Sequence, residues 1–176
     1  MTDSETRTVL VTGASSGIGS AIAKQAAAAG WTVIAGYGSG RDRADALAAE
    51  IDAAGGTAVP LQLPLEDPEA IAAAIDTVVA DGRMPDALVL NASPPFATAS
   101  FVKTTPEDFR TQFEPGVIGN HALVSALWKQ SFRKKRDGHI VALLTSALGP
   151  KPTPQMTPYI TAKAALRTML ECASVE

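Results

Sequence analysis

The sequence predicts an α/β fold, with a doubly wound parallel sheet covered by helices on both faces. Short apolar segments rich in Val, Ile and Leu alternate with alanine-rich helical segments from the amino terminus onward. A glycine-rich turn follows the first apolar segment and opens the first helix. Strands that alternate with helices form parallel sheets, so these two observations together predict this class.

Five strands are expected, in the spatial order 3-2-1-4-5. The strands are Thr8–Thr12, Thr32–Ala35, Thr57–Leu61, Ala87–Leu90 and His139–Thr145. The first three helices are Gly17–Ala29, Arg43–Ala54 and Asp67–Asp81, the last with Asp67 as its N-cap. A fourth begins at Thr105 and breaks at Pro115–Gly116, and a long helix then runs to about Arg136. The four prolines of Gly149–Pro158 predict a loop, and Tyr159 starts the final helix.

Length and composition predict one domain over residues 1–176. Apolar residues make up 46% of the chain and charged residues 19%, and the net charge is −3. This charge argues against nucleic acid or an anionic membrane as the main partner. The basic run Arg133–Arg136 lies at the end of a predicted helix, where cations complement the helix dipole, so we interpret it as a solvated helix end.

The single cysteine, Cys172, excludes an internal disulfide and leaves too few thiols for a zinc cluster. No secretion signal and no apolar segment of membrane-spanning length is present. We therefore expect a cytoplasmic protein. His121 and His139 have no partners at ligand spacing, so no metal site is expected.

The turn T-G-A-S-S-G-I-G at Thr12–Gly19 is typical of a phosphate-binding loop in a Rossmann-type nucleotide site. Gly13 permits the tight exit from the strand, Gly17 lets the backbone approach a pyrophosphate, and Gly19 allows close packing of helix on sheet. The helix that follows presents free N–H groups to the phosphates. The predicted contacts in this turn are Gly13, Ser15, Ser16, Gly17, Ile18 and Gly19.

Tyr159 and Lys163 are four residues apart, and Ser146 lies 13 residues before the tyrosine. Positions i and i+4 share a helix face, so the phenol and the ammonium can point into one site. An ammonium beside a phenol favours the phenolate and lowers its pKa, which suits a tyrosine for acid/base work.

These motifs, together with N-A-S at Asn91–Ser93 and Y-I-T-A-K at Tyr159–Lys163, resemble the short-chain dehydrogenases/reductases over essentially the whole chain. The resemblance implies a nicotinamide cofactor and the reduction of a ketone or the oxidation of an alcohol. Tyr159 would be the acid/base, Lys163 would hold the nicotinamide ribose and lower the tyrosine pKa, and Ser146 would bind the substrate oxygen. Asn91, Ala92 and Ser93 would line the cofactor site.

The resemblance also implies a homodimer or homotetramer, formed through the long helix before the fifth strand and the final helix. Relatives carry a catalytic asparagine where this chain has Gly116. Asn120, one turn later, is an alternative source of that amide in a proton relay. Loss of the asparagine is expected to slow proton delivery without abolishing binding.

Two positions leave the alignment with the family open. Counting from Gly138 selects Thr145 as the catalytic hydroxyl, whereas counting back from Tyr159 selects Ser146, which we prefer. A bulge in the fifth strand would reconcile the two counts. Pro64 replaces the usual aspartate, so an adenine contact there would use the Leu65 backbone or Glu66.

Family members continue through two more parallel strands, whereas this chain stops after Glu176. We therefore expect a larger protein of which the carboxyl-terminal strands are missing. Without them, His139–Thr145 would be an open, apolar sheet edge.

NADP(H) is the expected cofactor, in preference to NAD(H). The second strand leads into Tyr37, Gly38, Ser39, Gly40 and Arg41, with no carboxylate before Asp42. An acidic residue there would bind the ribose hydroxyl of NAD and repel a 2′-phosphate. Ser39, the glycine N–H groups, and Arg41 or Arg43 are suited to bind that phosphate instead.

The leading interpretation is an NADP(H)-dependent carbonyl reductase acting on a small molecule. The alternative is a nucleotide-binding sensor or interaction module with little catalysis, which Gly116 and the missing carboxyl-terminal strands favour. The joint presence of Ser146, Tyr159 and Lys163 favours the enzyme, since cofactor binding alone does not need all three. The Gly149–Pro158 loop is expected to help select the substrate.

Overall fold

One parallel sheet organises the chain. The computed structural model describes residues 7–132 and 138–175. Within them, five strands pair in the order β3-β2-β1-β4-β5. The strands are β1 Thr8–Val11, β2 Thr32–Tyr37, β3 Thr57–Gln62, β4 Ala87–Leu90 and β5 His139–Ala142. The predicted fold class and strand order are confirmed.

Six α-helices of the described segments connect and follow the strands. They are α1 Gly17–Ala28, α2 Arg41–Ala53, α3 Pro68–Ala80, α4 Pro106–Phe113, α5 Asn120–Leu127 and α6 Thr157–Ala173. Asp67 caps α3 as predicted, because its carboxylate accepts hydrogen bonds from the N–H groups of Glu69 and Ala70, at 3.0 Å each. No helix in these described segments is long and apolar enough to cross a membrane.

Each face of the sheet has its own apolar core. Val9 and Val11 of β1 pack with residues of α1 and α2, such as Ala23 and Leu47. Leu10, between them in sequence, packs on the other side in a core built from α3, α5 and α6. Successive side chains of a strand point to opposite faces, so this alternation places helices on both sides of the sheet.

The helical path continues through the break that we predicted at Pro115–Gly116. Glu114–Gly119 forms a π-helical turn between α4 and α5, and Trp128–Phe132 forms a second after α5. Proline lacks the N–H that an α-helix would use, and a wider turn accommodates it without ending the helix. The predicted break is therefore wrong. The basic run Arg133–Arg136 lies outside the described residues.

β5 is shorter than predicted and contains no bulge. It pairs with β4 in continuous register, from Ala87 opposite His139 to Leu90 opposite Ala142. The chain then leaves the sheet and enters a 3-10 turn at Ser146–Leu148. Within the described part of the chain β5 is an edge strand, and Val141 is 55% exposed.

Candidate active site

The β1–α1 turn has the backbone shape that a phosphate-binding loop requires. Gly13 and Gly17 have φ values of +64° and +55°, a left-handed region that favours glycine. No side chain caps the first turn of α1, so its N–H groups stay available to an anion. A Cβ on Gly19 would collide with the Gly13 carbonyl oxygen and approach the Asn91 amide, so this position requires glycine.

Asn91 and Thr12 hold the turn against the end of β4. The Asn91 amide nitrogen donates to the carbonyl oxygens of Thr12 and Gly13, at 2.9 and 3.1 Å. The buried Thr12 hydroxyl accepts from the N–H groups of Asn91 and Ala92, at 3.0 Å each, and donates to the Val89 carbonyl. The role of Thr12 was missed in the sequence, because it depends on contacts about 80 residues away in the chain.

A groove runs over the carboxyl ends of β1, β2 and β4, where the strand order reverses and ligands bind in sheets of this type. Among the predicted cofactor contacts, the groove is lined by Gly13, Gly38, Leu65, Ala92 and Ser93. Ser16, Gly17 and Ile18 are exposed at the adjoining start of α1, and Ser39 is exposed at the end of β2.

Tyr37, at the end of β2, does not line this groove and is buried, at 5% exposure. Leu65 lines it, but its carbonyl oxygen lies against Gly119, where a Cβ would overlap it. Of the two contacts predicted for an adenine, the exposed Glu66 side chain is therefore the freer one.

The region after β2 places Ser15 beside Arg43. A Cβ built on Gly40 would lie 2.6 Å from a guanidinium nitrogen of Arg43 and 3.0 Å from the Ser15 hydroxyl oxygen. Arg41 instead contacts Asp45 on the surface of α2, at 3.5 Å. Arg43 is therefore better placed than Arg41 to receive an anion at this corner of the groove.

Tyr159 and Lys163 line one small cavity. Its wall also contains Ser93, Gly116 and Gln112. The Lys163 ammonium lies 5.9 Å from the centroid of the Tyr159 ring and donates to the Leu143 carbonyl oxygen at 2.8 Å. Only 8% of Lys163 is exposed, and this burial lowers the pKa of its ammonium.

Phe96 covers one face of the Tyr159 ring. The two rings stack with their centroids 4.4 Å apart and an interplanar angle of 17°. The segment that carries Phe96 is held by a hydrogen bond from the Gln112 amide nitrogen to the Pro95 carbonyl, at 3.0 Å. The sequence predicted no role for Phe96 or Gln112. A polar residue within a helix, such as Gln112, carries no sequence signal that it is buried. Gln112 is 3% exposed.

Thr145 and Ser146 lie just beyond β5 in different environments. The Thr145 hydroxyl accepts from the Ala147 N–H at 3.2 Å and so caps the 3-10 turn. Ser146 is exposed, and its hydroxyl makes no hydrogen bond to the described residues. Ser146 is absent from the wall of the cavity that holds Tyr159 and Lys163.

Asn120 lies behind that cavity and does not line it. Its side chain is 2% exposed, and its amide nitrogen donates to the Gly116 carbonyl at 2.9 Å. Its amide oxygen is buried and has no hydrogen-bond partner among residues 7–132 and 138–175. This geometry makes Asn120 a brace for the π turn, and it does not support the alternative in which Asn120 supplies the proton relay.

Among residues 7–132 and 138–175, no group of three or more His, Cys, Asp or Glu side chains could hold a metal ion. The His121 ring lies 3.4 Å from the Ser125 hydroxyl, one helical turn away.

The five-stranded parallel sheet with helices on both faces defines a Rossmann-like fold. The family model described as short chain dehydrogenase matches residues 7–176. The chain belongs to this short chain dehydrogenase family.

Several curated relatives match over nearly the whole chain. A versicolorin reductase from Emericella nidulans is 28% identical over 172 residues, covering 97% of this chain and 63% of that protein. A 3-oxoacyl-[acyl-carrier-protein] reductase from Synechocystis is 32% identical over 164 residues, covering 93% of this chain and 65% of that protein. The chain thus spans less than two thirds of the length of either relative.

Solved structures share the fold. A short-chain dehydrogenase from Streptomyces avermitilis is 35% identical with a TM-score of 0.84, covering 98% of this chain and 61% of that one. A short chain dehydrogenase from Burkholderia cenocepacia, in complex with NADP, is 32% identical with a TM-score of 0.80. That match covers 93% of this chain and 65% of the other.

Proposed function

We propose that the protein is an NADP(H)-dependent oxidoreductase that reduces a carbonyl compound to an alcohol, or catalyses the reverse reaction. One observation carries the proposal. The cavity that holds Tyr159 and Lys163 shares Ala92, Ser93 and Pro94 with the groove over the carboxyl ends of β1, β2 and β4. A nicotinamide that entered from the groove would therefore reach the tyrosine across this common wall.

The nicotinamide, when bound, supplies the hydride that the carbonyl carbon receives. The Tyr159 hydroxyl donates the proton that the carbonyl oxygen needs, which completes the alcohol. The Lys163 ammonium favours the phenolate that remains and binds the ribose hydroxyls. The Ser146 hydroxyl, which makes no hydrogen bond to the described residues, polarises the substrate oxygen after a movement toward the cavity.

The preference for NADP(H) rests on the corner formed by Ser15, Ser39 and Arg43. No carboxylate lies between the end of β2 and Asp42, so nothing there repels a 2′-phosphate. The Arg43 guanidinium and the Ser15 hydroxyl flank Gly40 and offer donors to a phosphate. The complex of the Burkholderia cenocepacia relative with NADP agrees with this preference.

Oxidation of NADPH, followed by absorbance with a panel of ketones and quinones, tests the proposal. We expect turnover of at least one carbonyl compound. Binding of NADPH without turnover of any would favour the alternative, a nucleotide-binding sensor or interaction module. The cavity geometry around Tyr159 favours the enzyme, because a binding module needs no tyrosine beside the nicotinamide position.

We also propose that the protein forms a homodimer or homotetramer through α5 and α6. The groove between these helices is lined by Val124, Trp128, Met169 and Leu170, and Trp128 is 45% exposed. Burial of this apolar surface would stabilise an association. Sedimentation equilibrium tests the assignment, with a monomer as the contrary result. The cytoplasmic location stays a prediction.

A further inference from the structure

A second cavity also has Tyr159 in its wall. Its apolar wall is formed by Phe96, Met156 and Pro158, and α4 contributes the opposite, polar wall. The sequence motifs and the family resemblance give these α4 residues no role. The cavity opens beside the candidate proton donor, so a molecule bound in it would have one end at Tyr159.

The polar wall consists of Asp108, Thr111 and Gln112. The Thr111 hydroxyl donates its one hydrogen to the Glu107 carbonyl oxygen at 2.9 Å, so it is left as an acceptor toward a ligand. The Gln112 amide nitrogen is bound to the Pro95 carbonyl, which can only accept. The Gln112 amide oxygen makes no hydrogen bond within the described part of the chain.

Asp108 adds a negative charge to this wall. One of its carboxylate oxygens accepts from the Thr105 N–H at 2.7 Å and from the Thr105 hydroxyl at 2.9 Å. These hydrogen bonds, the backbone one foremost, lower the pKa of Asp108, so the group is ionised at neutral pH. Its other oxygen accepts from none of the described residues and remains available to a ligand donor.

We propose that this cavity selects an uncharged aromatic or cyclic carbonyl substrate that carries a hydroxyl group. The flat apolar wall of Phe96 and Pro158 suits a ring, and the free acceptors of Asp108 and Thr111 bind its hydroxyl. A carboxylate or phosphate in the same place would meet a negative charge and acceptors without donors. The inference rests on the proposed function, in which the carbonyl end of the substrate lies at Tyr159.

Three aromatic ketones of similar shape test the inference: acetophenone, meta-hydroxyacetophenone and meta-acetylbenzoate. Isothermal titration calorimetry at neutral pH gives their dissociation constants. We expect meta-hydroxyacetophenone to bind at least about ten-fold more tightly than acetophenone, as one added hydrogen bond to a charged acceptor predicts. We expect meta-acetylbenzoate to bind more weakly than both.

Substitutions in the polar wall test whether its side chains cause the preference for meta-hydroxyacetophenone. Thr111→Val removes an acceptor at similar volume and should reduce the preference for the hydroxyl. Asp108→Asn removes the charge and should narrow the difference between acetophenone and meta-acetylbenzoate. Glu107→Gln is the matched control, because it removes the same charge from a neighbouring residue that does not line the cavity. Its three affinities should keep the wild-type ratios.

Equal binding of the three ketones, or no binding of any, would overturn the inference. The inference would also be overturned if Glu107→Gln changed the ratios of the three dissociation constants as much as Asp108→Asn does. The effect would then come from long-range electrostatics and not from a contact in the cavity. Thermal melts of each variant establish that it is folded. Calorimetric titration measures binding without turnover, so it separates the two proposals. Tighter binding of meta-hydroxyacetophenone without any NADPH oxidation would contradict the proposed function but would leave the inference about this cavity intact.

Discussion

The Lys163 ammonium donates to the Leu143 carbonyl oxygen at 2.8 Å and so joins α6 to the chain just after β5. A single buried charge therefore connects the helix that carries Tyr159 with the edge strand of the sheet. The bond orients the ammonium but does not compensate for its removal from water, because burial still lowers its pKa. The stability of the fold should consequently depend on the protonation of Lys163.

Lys163→Met should change how stability depends on alkaline pH. The pKa of Lys163 in the folded protein lies below the ordinary value of 10.5, so the unfolded chain holds this proton more tightly. The cost of burying the charge is complete below the folded-state pKa and is relieved as pH rises through that pKa toward 10.5. Urea denaturation at several pH values should therefore show wild type gaining stability relative to Lys163→Met in this window.

Lys24→Met is the control for that experiment, because Lys24 is 41% exposed and forms a surface ion pair with Glu50. If the difference between wild type and Lys163→Met stayed constant across the alkaline window, the linkage to the buried ammonium would be refuted.

Arg43→Gln should weaken the binding of NADPH about ten-fold or more and leave NADH nearly unchanged. The reason is the loss of a charge-assisted hydrogen bond to the 2′-phosphate, worth roughly 1.5–3 kcal/mol. Fluorescence titration of both cofactors measures the effect. Arg41→Gln serves for comparison, since Arg41 pairs with Asp45. An equal loss of affinity for both cofactors in Arg43→Gln would show that this side chain does not bind the 2′-phosphate.

Gly19→Ala should destabilise the fold by about 1–3 kcal/mol, because the added methyl group would overlap the Gly13 carbonyl and press on the Asn91 amide. Chemical denaturation gives the difference in the free energy of unfolding. Gly38→Ala is the matched substitution, since a Cβ there has no atom within 4 Å and lies in the same groove. Similar losses in both variants would contradict the close packing inferred at Gly19.

Gly116→Asn should raise turnover several-fold, because it introduces the amide that the family resemblance places beside the proton relay. A Cβ at this position is accommodated, since the nearest atom outside the local helix backbone is the Ala162 methyl carbon, at 3.9 Å. Gly116→Ala tests sterics alone and should leave turnover near wild type. Steady-state NADPH oxidation compares them, and a decrease in Gly116→Asn without loss of stability would argue against slow proton delivery in the native chain.

Local patterns predicted the scaffold of the site well. The glycine spacing at Thr12–Gly19 fixes a turn between a strand and a helix, and the four-residue spacing of Tyr159 and Lys163 fixes a common helix face. Both depend on residues close together in the chain, and the structure places them at adjoining cavities.

Contacts between residues far apart in the chain could not be predicted from the sequence. Phe96 is stacked on Tyr159, and Gln112 is bound to Pro95, through packing that no local period records. The π turn at Glu114–Gly119 was missed for a related reason. Proline is a sound signal for a break in an isolated helix, but here the buried Pro115 lies in a turn braced by the Asn120 amide.

Turnover of the Tyr159→Phe variant tests the account most directly. Phenylalanine keeps the ring that stacks on Phe96, so the fold and NADPH binding should persist while the proton donor is lost. We expect turnover of a carbonyl substrate to fall by roughly 10²–10⁴-fold, the range for removal of a general acid. A folded Tyr159→Phe variant that oxidises NADPH as fast as wild type would contradict the proposed mechanism.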